Sequence, residues 1–298
     1  MIELINDSSK VYFTTKICEQ GLLNIYSFLP KKIYGKVAVK IHSGEQDTGY
    51  YIRPEIISPL INLVNGTIID ANTPYGANRT NTDAHIESMR KHGFFDIAKC
   101  DIIDSDGDAE IVVKDGKRLK VNYIGSHLLT YDSIIIVNHF KGHKKAGFGG
   151  VLKDMSIGLA SKTGKCWIHT AGESKNDLNK LKNHDWFIEA MADAAMSIKK
   201  LNKPMIFISF LNNLSADGDG CIEQGLPELR DIGIIASEDP VALDKASLDI
   251  IKKHALIQGK RECDLLHKIK EQNGEYIIAA AKNLGIGNEE YTLINIDS

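Results

Sequence analysis

The sequence predicts an α/β fold: a mixed, mostly parallel sheet flanked by helices, with one β-hairpin leaving the sheet. Short apolar runs rich in β-branched residues alternate along the chain with amphipathic helical patterns, as is typical of a sheet covered on both faces. The 298 residues are enough for one large α/β domain, with two lobes as the alternative. We treat residues 1–298 as a single unit because no low-complexity linker marks a boundary.

Five apolar runs are predicted as buried strands. They are short and are made mainly of residues that pack well on a pleated surface. They span residues 36–41, 66–70, 133–138, 205–210 and 231–237. The hairpin is predicted within residues 111–121, where Asp115 and Gly116 favour a tight turn between two alternating segments.

Three helices have recognisable start or stop residues. Pro54 predicts the first turn of a helix that stops at Gly66, and residues 81–93 contain a second helix between a polar cap and a glycine. Asp239, followed by Pro240, predicts the N-cap of a long third helix, because an Asp side chain accepts hydrogen bonds from first-turn amides.

Composition and charge exclude several classes of function. With 36 Lys and Arg residues against 39 Asp and Glu residues, the net charge is −3, and no basic stripe indicates nucleic-acid binding. No apolar run is long enough to cross a membrane, and the first residues lack the basic start and apolar core of a signal peptide. We therefore expect a cytoplasmic protein that binds neither nucleic acid nor a membrane.

The five cysteines are widely spaced and form no C-x-x-C pair. An iron-sulfur cluster needs thiolates held close together, and an odd number of cysteines does not indicate a disulfide framework. We therefore expect no Fe-S cluster.

The cysteine spacing predicts that protein purified without oxygen is colourless. Iron and acid-labile sulfide analysis measures this directly. A brown protein with about four irons per chain, the content of one [4Fe-4S] cluster, would contradict the prediction.

The most unusual segment lies between residues 138 and 170, after a predicted strand. It contains six glycines, six lysines and three histidines. Because glycine weakens regular structure and permits close backbone approach, we expect an irregular loop that contacts a ligand. The lysines and histidines indicate that this ligand is anionic or carries a metal.

Three predicted strands end in polar, glycine-bearing loops, and the carboxyl ends of parallel strands meet at one edge of a sheet. The loops therefore predict a shared cleft. Glycine amides form concave anion sites, and lysines add charge. The expected ligand-binding residues are His42, Arg53, Asn78, Arg79, His139, Lys141, Gly147, Gly149 and Gly150.

Two residues of this cleft are predicted to carry chemistry. His143 lies in the glycine-rich segment and is a candidate for direct chemistry; the alternative is a hydrogen bond that closes the loop. Lys153 is flanked by apolar residues, and burial would lower its pKa as a nucleophilic lysine requires. The alternative for Lys153 is a salt bridge to Asp154.

Four segments in chain order resemble motifs of domain-of-unknown-function family 362, described as uncharacterised iron-sulfur-centre proteins. They are "VAVKIHSGE", "DANTPYGANRT", "HFKGHKKAGFGGVLKDMSIGLASKTGK" and "DIGIIASEDPVALDKASLDII". The family's ferredoxin-like insert of cysteines, which would follow "SKTGK", is absent from this sequence. The resemblance therefore does not imply a cluster here.

A more distant resemblance connects the glycine-rich segment with nickel-pincer lactate racemases. It implies a catalytic role for His143, attachment of a pyridinium-type cofactor to Lys153 and nickel ligation by His169, whose alternative role is packing. Asn78 stands where the resemblance implies a second acid/base histidine, and an amide does not exchange protons near neutral pH.

Two functions remain open from the sequence. The first is a racemase-like or redox enzyme that binds an anionic small molecule or cofactor. The alternative is a non-catalytic scaffold, or a partner of a redox protein, that has lost its electron-transfer insert.

Overall fold

A central mixed sheet organises the computed structural model, which describes residues 8–30, 32–45, 49, 51–217 and 226–297. The strands are β1 Ser9–Thr14, β2 Val37–Lys40, β3 Gly66–Asp70, β4 Cys100–Ile102, β5 Asp108–Val112, β6 Val121–Gly125, β7 Ser133–His139, β8 Lys141–His143, β9 Gly147–Gly149, β10 Met205–Leu211, β11 Gly233–Ser237 and β12 Tyr291–Asn295. The α-helices are α1 Glu19–Ser27, α2 Pro54–Val64, α3 Thr82–Lys91, α4 Phe94–Ile97, α5 Val151–Lys153, α6 Lys162–His169, α7 His184–Lys199, α8 Pro240–Ile257, α9 Asp264–Glu271 and α10 Tyr276–Asn283.

The strand order of the large sheet is β12-β1-β11-β10-β7-β2-β3-β4. The five strands from β10 to β4 pair in parallel, whereas β11 runs antiparallel to both of its neighbours. This confirms the predicted α/β class with a mixed, mostly parallel sheet. The carboxyl ends of β10, β7, β2, β3 and β4 therefore lie at one edge of the sheet, which we call the carboxyl edge.

The central strands of the sheet are buried on both faces, which explains why they are continuous apolar runs. In β7, Ile134 and Ile136 pack into one hydrophobic cluster, while Ile135 and Val137 pack into a second cluster. Complete burial of such a side chain contributes roughly 1.5–3 kcal/mol. A central parallel strand therefore cannot show the alternation of a half-exposed strand.

The predicted helix boundaries are confirmed by their caps. Asp239 Oδ1 accepts hydrogen bonds from the amides of Val241 and Ala242 at 2.9 and 3.1 Å, which fixes the start of α8. Helix α2 begins at Pro54 and is followed by Asn65 in the left-handed conformation, with φ of 47°. None of the helices in the described ranges combines the length and apolar character needed to cross a bilayer.

Two hairpins lie outside the large sheet. The pairing of β5 with β6 confirms the predicted hairpin. Residues 113–120 connect the two strands, so the predicted tight turn directly between strands at Asp115 and Gly116 was wrong. The second hairpin, β8 with β9, is followed by α5, a π-helical turn Asp154–Gly158 and α6. The expectation of an irregular loop between residues 138 and 170 was therefore wrong.

Contacts within the chain explain why this regular segment is rich in glycine. A Cβ atom at Gly142 would lie 2.0 Å from the carbonyl oxygen of Ala216, and one at Gly164 would lie 1.8 Å from that of Tyr123. Both distances are far below van der Waals contact. These glycines let the segment pack closely on the protein itself, so their number alone does not indicate a ligand.

Candidate functional site

Charged and imidazole side chains converge at the carboxyl edge. We call this group the carboxyl-edge cluster. Its members are Lys40, His42, Asp70, Arg79, Lys141, His143, Lys153 and Asp154. They belong to the ends of β2 and β3, the loops after those strands, and the segment after β7. Neighbouring parallel strands bring these side chains to one edge, and the cluster is the candidate functional site. That the predicted residues form one ligand site stays a prediction.

Asp70, the last residue of β3, is the central acid of the cluster. Its carboxylate lies 3.2 Å from Lys40 Nζ and 3.5 Å from Arg79 Nη1, and all three side chains are buried. Ser43 donates to the same carboxylate through its hydroxyl at 2.8 Å and its amide at 3.1 Å. Although burial disfavours the charged form, Lys40, His85 and Arg79 hold the pKa of Asp70 well below its usual range.

Ser43, His85 and Asp70 together resemble a catalytic triad only superficially. His85 Nε2 lies 3.0 Å from Ser43 Oγ, but the Ser43 hydroxyl donates to Asp70. Both Ser43 and His85 are 0% exposed. A buried hydroxyl that is already donating to a carboxylate is not an activated nucleophile. We assign these contacts to holding the loops after β2 and β3 together.

Arg79 links Asp70 to the loop after β2. Its Nε and Nη2 atoms lie 2.9 and 2.8 Å from Glu45 Oε1, and its Nη1 atom lies 3.4 Å from His42 Nδ1. Burial and the positive charges of Lys141 and Arg79 hold the pKa of His42 well below its usual value. His42 is therefore a neutral imidazole at physiological pH.

Lys141 and Lys153 bring further positive charge to the cluster. The pKa of Lys141 is lowered well below its usual value by burial and by the charge of Lys153. The pKa of Lys153 is also lowered, first by burial and then by Lys40, while Asp154 partly opposes the shift. The site thus gathers cations whose charged forms are disfavoured by burial and by one another.

Asp154 connects Lys153 to the strands beneath it. Asn138 Nδ2 donates to Asp154 Oδ2 at 2.9 Å, and Ser209 Oγ donates to Asn138 Oδ1 at 2.8 Å. A Cβ atom at Gly158 would lie 2.9 Å from Lys40 Cε and 3.2 Å from Asp154 Oδ1. The glycine therefore leaves room for Lys40 next to Asp154.

The two histidines of the hairpin region have different hydrogen-bonding roles. His143 Nδ1 accepts from the amide of Ala146 at 2.9 Å, so the imidazole closes the β8–β9 turn and its Nε2 carries the proton. Burial and the charge of Lys153 hold its pKa well below the usual value. His139 donates to the carbonyl of Asn212 at 2.7 Å, and burial lowers its pKa to about 4.

His169, at the end of α6, is buried and stacks on Phe187 with ring centroids 4.7 Å apart. Its Nδ1 donates to the carbonyl of Lys165 at 2.7 Å, which leaves Nε2 as an acceptor 3.3 Å from the hydroxyl of Tyr75. A backbone hydrogen bond of this kind fixes the tautomer of ligating histidines. Burial lowers the pKa of His169 to about 3. Within the described residues, no three His, Cys, Asp or Glu side chains are grouped so as to hold a metal, and this includes the surroundings of His169.

Two predicted ligand residues lie apart from these contacts. Arg53 caps α2, donates to the carbonyl of Gly49 at 3.0 Å and stacks over the ring of Tyr51 at 4.7 Å. Asn78 is half-buried, and its side chain forms no hydrogen bond with the residues that the structure describes.

The three predicted glycines contact different neighbours. Gly147 has φ of 76°, which favours glycine, and a Cβ atom there would lie 2.8 Å from the Cα atom of Gly274. At Gly149 a Cβ atom would make an ordinary contact of 3.5 Å with Lys141 Cγ. At Gly150 it would lie 2.3 Å from a carboxylate oxygen of Asp244. Of these three glycines, only Gly149 faces a member of the carboxyl-edge cluster.

The sequence interpretation missed several residues that shape the site. They are Lys40, Asp70, Asn138 and Asp244. Lys40 and Asp70 had a visible signal, because each is a charged residue that ends an otherwise apolar buried strand. A charge in that place needs a partner or a function.

Family comparison agrees with the motifs that carry the resemblance. The sequence profile named "Domain of unknown function (DUF362)" matches residues 37–249. The chain belongs to the DUF362 family. The matched span contains the whole carboxyl-edge cluster of this DUF362 chain, and the predicted family membership is confirmed.

Two solved structures are similar to the DUF362 chain. A Thermotoga maritima protein from a structural genomics consortium has a TM-score of 0.45 and 13% identity, with 81% of this chain and 58% of that chain covered. The lactate racemase apoprotein from Thermoanaerobacterium thermosaccharolyticum has a TM-score of 0.49 and 12% identity, with 85% and 59% covered. The chain thus spans less than two thirds of the length of either protein. Comparison with curated proteins gives no match.

Proposed function

We propose that this DUF362 chain is a cytoplasmic protein that binds an anionic small molecule or cofactor at the carboxyl-edge cluster. The observation that carries the proposal is the burial of three cationic side chains at the carboxyl edge, since Lys40, Arg79 and Lys141 are 1%, 4% and 6% exposed. Gathering like charges in a buried place costs stability unless a counter-charge is bound. A phosphate or carboxylate group supplies that counter-charge.

The same residues support enzymatic chemistry of a racemase-like or redox kind. A lysine whose pKa is lowered, such as Lys153, has more of the neutral amine that attacks carbonyl or pyridinium carbons. His143 is the candidate acid or base. With Nδ1 accepting from the amide of Ala146, its Nε2–H can donate a hydrogen bond to a ligand, and the ring would act as a base only in the other tautomer, after that bond breaks. Asn78 does not exchange protons, so His143 together with Asn78 favours proton transfer on one face of a substrate over two-base racemisation.

A nickel-pincer cofactor is compatible with part of this arrangement. Lys153 would hold the pyridinium group, and His169 would offer Nε2, whose orientation is fixed by the carbonyl of Lys165. When bound, such a cofactor supplies an electrophilic centre that Lys and His side chains lack. The protein would contribute position and a hydrogen-bond donor at His143 Nε2, while Tyr75 lies within hydrogen-bond distance of His169.

Calorimetry with inorganic phosphate, sulfate and small carboxylates tests the proposal, and a substitution at Gly149 should weaken binding. In Gly149→Val the branched side chain presses on Lys141, since even a Cβ atom lies 3.5 Å from Lys141 Cγ. We expect about ten-fold weaker binding, the free energy of one displaced charged hydrogen bond.

Gly149→Ala is the matched control, because its single added carbon makes only an ordinary contact and should leave the affinity nearly unchanged. If none of the anions binds the wild-type protein, or if Gly149→Val binds them equally well, the alternative is favoured. That alternative is a non-catalytic scaffold, or a partner of a redox protein, that has lost its electron-transfer insert.

A further inference from the structure

Asp244 is a buried acid that lies outside the carboxyl-edge cluster. It belongs to α8 and is 0% exposed. Its two oxygens accept hydrogen bonds from the amides of Val151 at 2.8 Å and Leu152 at 3.0 Å. These amides form the first turn of α5, the short helix whose last residue is Lys153. The carboxylate therefore holds the segment that presents Lys153.

The adjacent glycine permits this contact. A Cβ atom at Gly150 would lie 2.3 Å from Asp244 Oδ1, so a larger residue would push the carboxylate away. The sequence indicated that the backbone at this glycine approaches an anion. The anion in contact here is a side chain of the protein itself.

Helix α5 has little stability of its own, because a helix of a few residues does not repay the cost of its first turn. It is held by Asp244 at its start and by the bond from Asn138 to Asp154 just after its end. A π-helical turn follows directly, a feature that is common at functional sites. The position of Lys153 thus depends on contacts from α8 and β7.

We propose that Asp244 is a positioning residue that places Lys153 in the carboxyl-edge cluster by holding the first turn of α5. This inference rests on the proposed function only in giving Lys153 a role. Asp244 itself contacts the amides of Val151 and Leu152, so it acts on Lys153 through the backbone.

The charge state of Asp244 allows a second, pH-dependent test of its role. Burial raises its pKa to about 7, the two amides oppose this shift and the charge of Asp154 adds to it. In the described chain, Asp154 is the ionisable side chain whose charge acts on Asp244. As the pH falls below about 7, the carboxyl gains a proton and one of its oxygens stops accepting an amide.

The pH profile of Lys153 acylation tests the role in solution. N-hydroxysuccinimidyl acetate is uncharged and modifies neutral amines. Peptide mass spectrometry then gives the pH at which the acylation rate of Lys153 is half its maximum, with exposed Lys253 as the internal reference. In Asp244→Asn, a side-chain amide donor faces a backbone donor and the turn loosens. We expect the pH midpoint of Lys153 acylation to rise by about one unit, because a loosened turn exposes Lys153 and burial then lowers its pKa less.

Asp249→Asn is the matched control. Asp249 lies on the same helix and pairs with Lys245 at 2.5 Å, so this change also removes a bonded carboxylate but does not touch α5. Its Lys153 midpoint should match the wild type. Folded Asp244→Asn protein with an unchanged midpoint would overturn the proposal.

Hydrogen exchange in the wild-type chain avoids any failure of the variant to fold. The protection of the Val151 and Leu152 amides should fall several-fold between pH 8 and pH 6, after correction for intrinsic exchange. The amides of Val241 and Ala242, which donate to Asp239, are the reference. Equal behaviour of the two pairs would also overturn the proposal. Neither measurement needs a bound anion, so a failure of this proposal can be distinguished from a failure of the proposed anion binding.

Discussion

Asp70→Asn is expected to lower the free energy of unfolding by about 3–5 kcal/mol, the usual cost of removing one partner from a buried ion pair. The substitution keeps the shape of the side chain but leaves Lys40 and Arg79 without their shared carboxylate. Both cations are buried, so water cannot replace the lost charge. Urea unfolding at pH 7 measures the change.

The effect of Asp70 should also depend on pH. Because the folded-state pKa of Asp70 is depressed, the stabilisation is present above its unfolded value near 3.9 and is lost as the pH falls through the folded value. The difference in stability between wild type and Asp70→Asn should therefore shrink in acid. A difference that stayed constant down to strongly acidic pH would assign the effect to packing.

Asp115→Asn provides the matched control for Asp70. Asp115 pairs with Lys200 at 2.9 Å, but its side chain is 79% exposed. Exposed ion pairs contribute about 0–1 kcal/mol. If the two variants lost similar stability, Asp70 would not be the central acid of a buried network.

The sequence predicted the buried strands well and the outer strands poorly, for a physical reason. A central strand such as β7 is apolar on both faces and can be recognised from its own residues. Strands β1 and β12 pair with each other, although their residues lie at opposite ends of the sequence. Strand β12 is also partly exposed throughout, so it has no continuous apolar run. Its structure depends on a distant partner.

The same distinction applies to the candidate site. Convergence of the loops after β2, β3 and β7 was predictable, because parallel neighbours place their carboxyl ends together. The role of Asp244 was not predictable, because the amides that donate hydrogen bonds to it are far away in sequence. The separation from Leu152 is 92 residues. A local pattern showed that Gly150 permits a close approach, but not which group approaches.

Lys141→Met is expected to raise the free energy of unfolding of the ligand-free protein and to weaken anion binding. The pKa of Lys141 is lowered by burial and by Lys153, so its charged form destabilises the folded state. An apolar side chain of similar length removes that cost, and we expect a gain of about 1–3 kcal/mol, as when buried charges are replaced by packed apolar groups. Phosphate affinity should fall about 100-fold, as expected when a buried charge loses its partner.

The pH dependence separates this explanation from improved packing. The folded pKa of Lys141 lies below its unfolded value near 10.4, so the cost of the charge is absent at high pH and grows as the pH falls towards the folded value. The stability gain of Lys141→Met should therefore be larger at pH 7 than at pH 10. Thermal or urea unfolding at both pH values measures it.

Lys144→Met is the control from the same hairpin, because Lys144 is exposed. Surface substitutions of this kind usually change stability by less than about 0.5 kcal/mol. Calorimetry should find its phosphate affinity close to that of the wild type. A Lys141→Met protein that loses stability and still binds phosphate normally would show that Lys141 supports the fold. A stable variant that no longer binds phosphate would show that the chain tolerates the buried charge for the sake of its ligand.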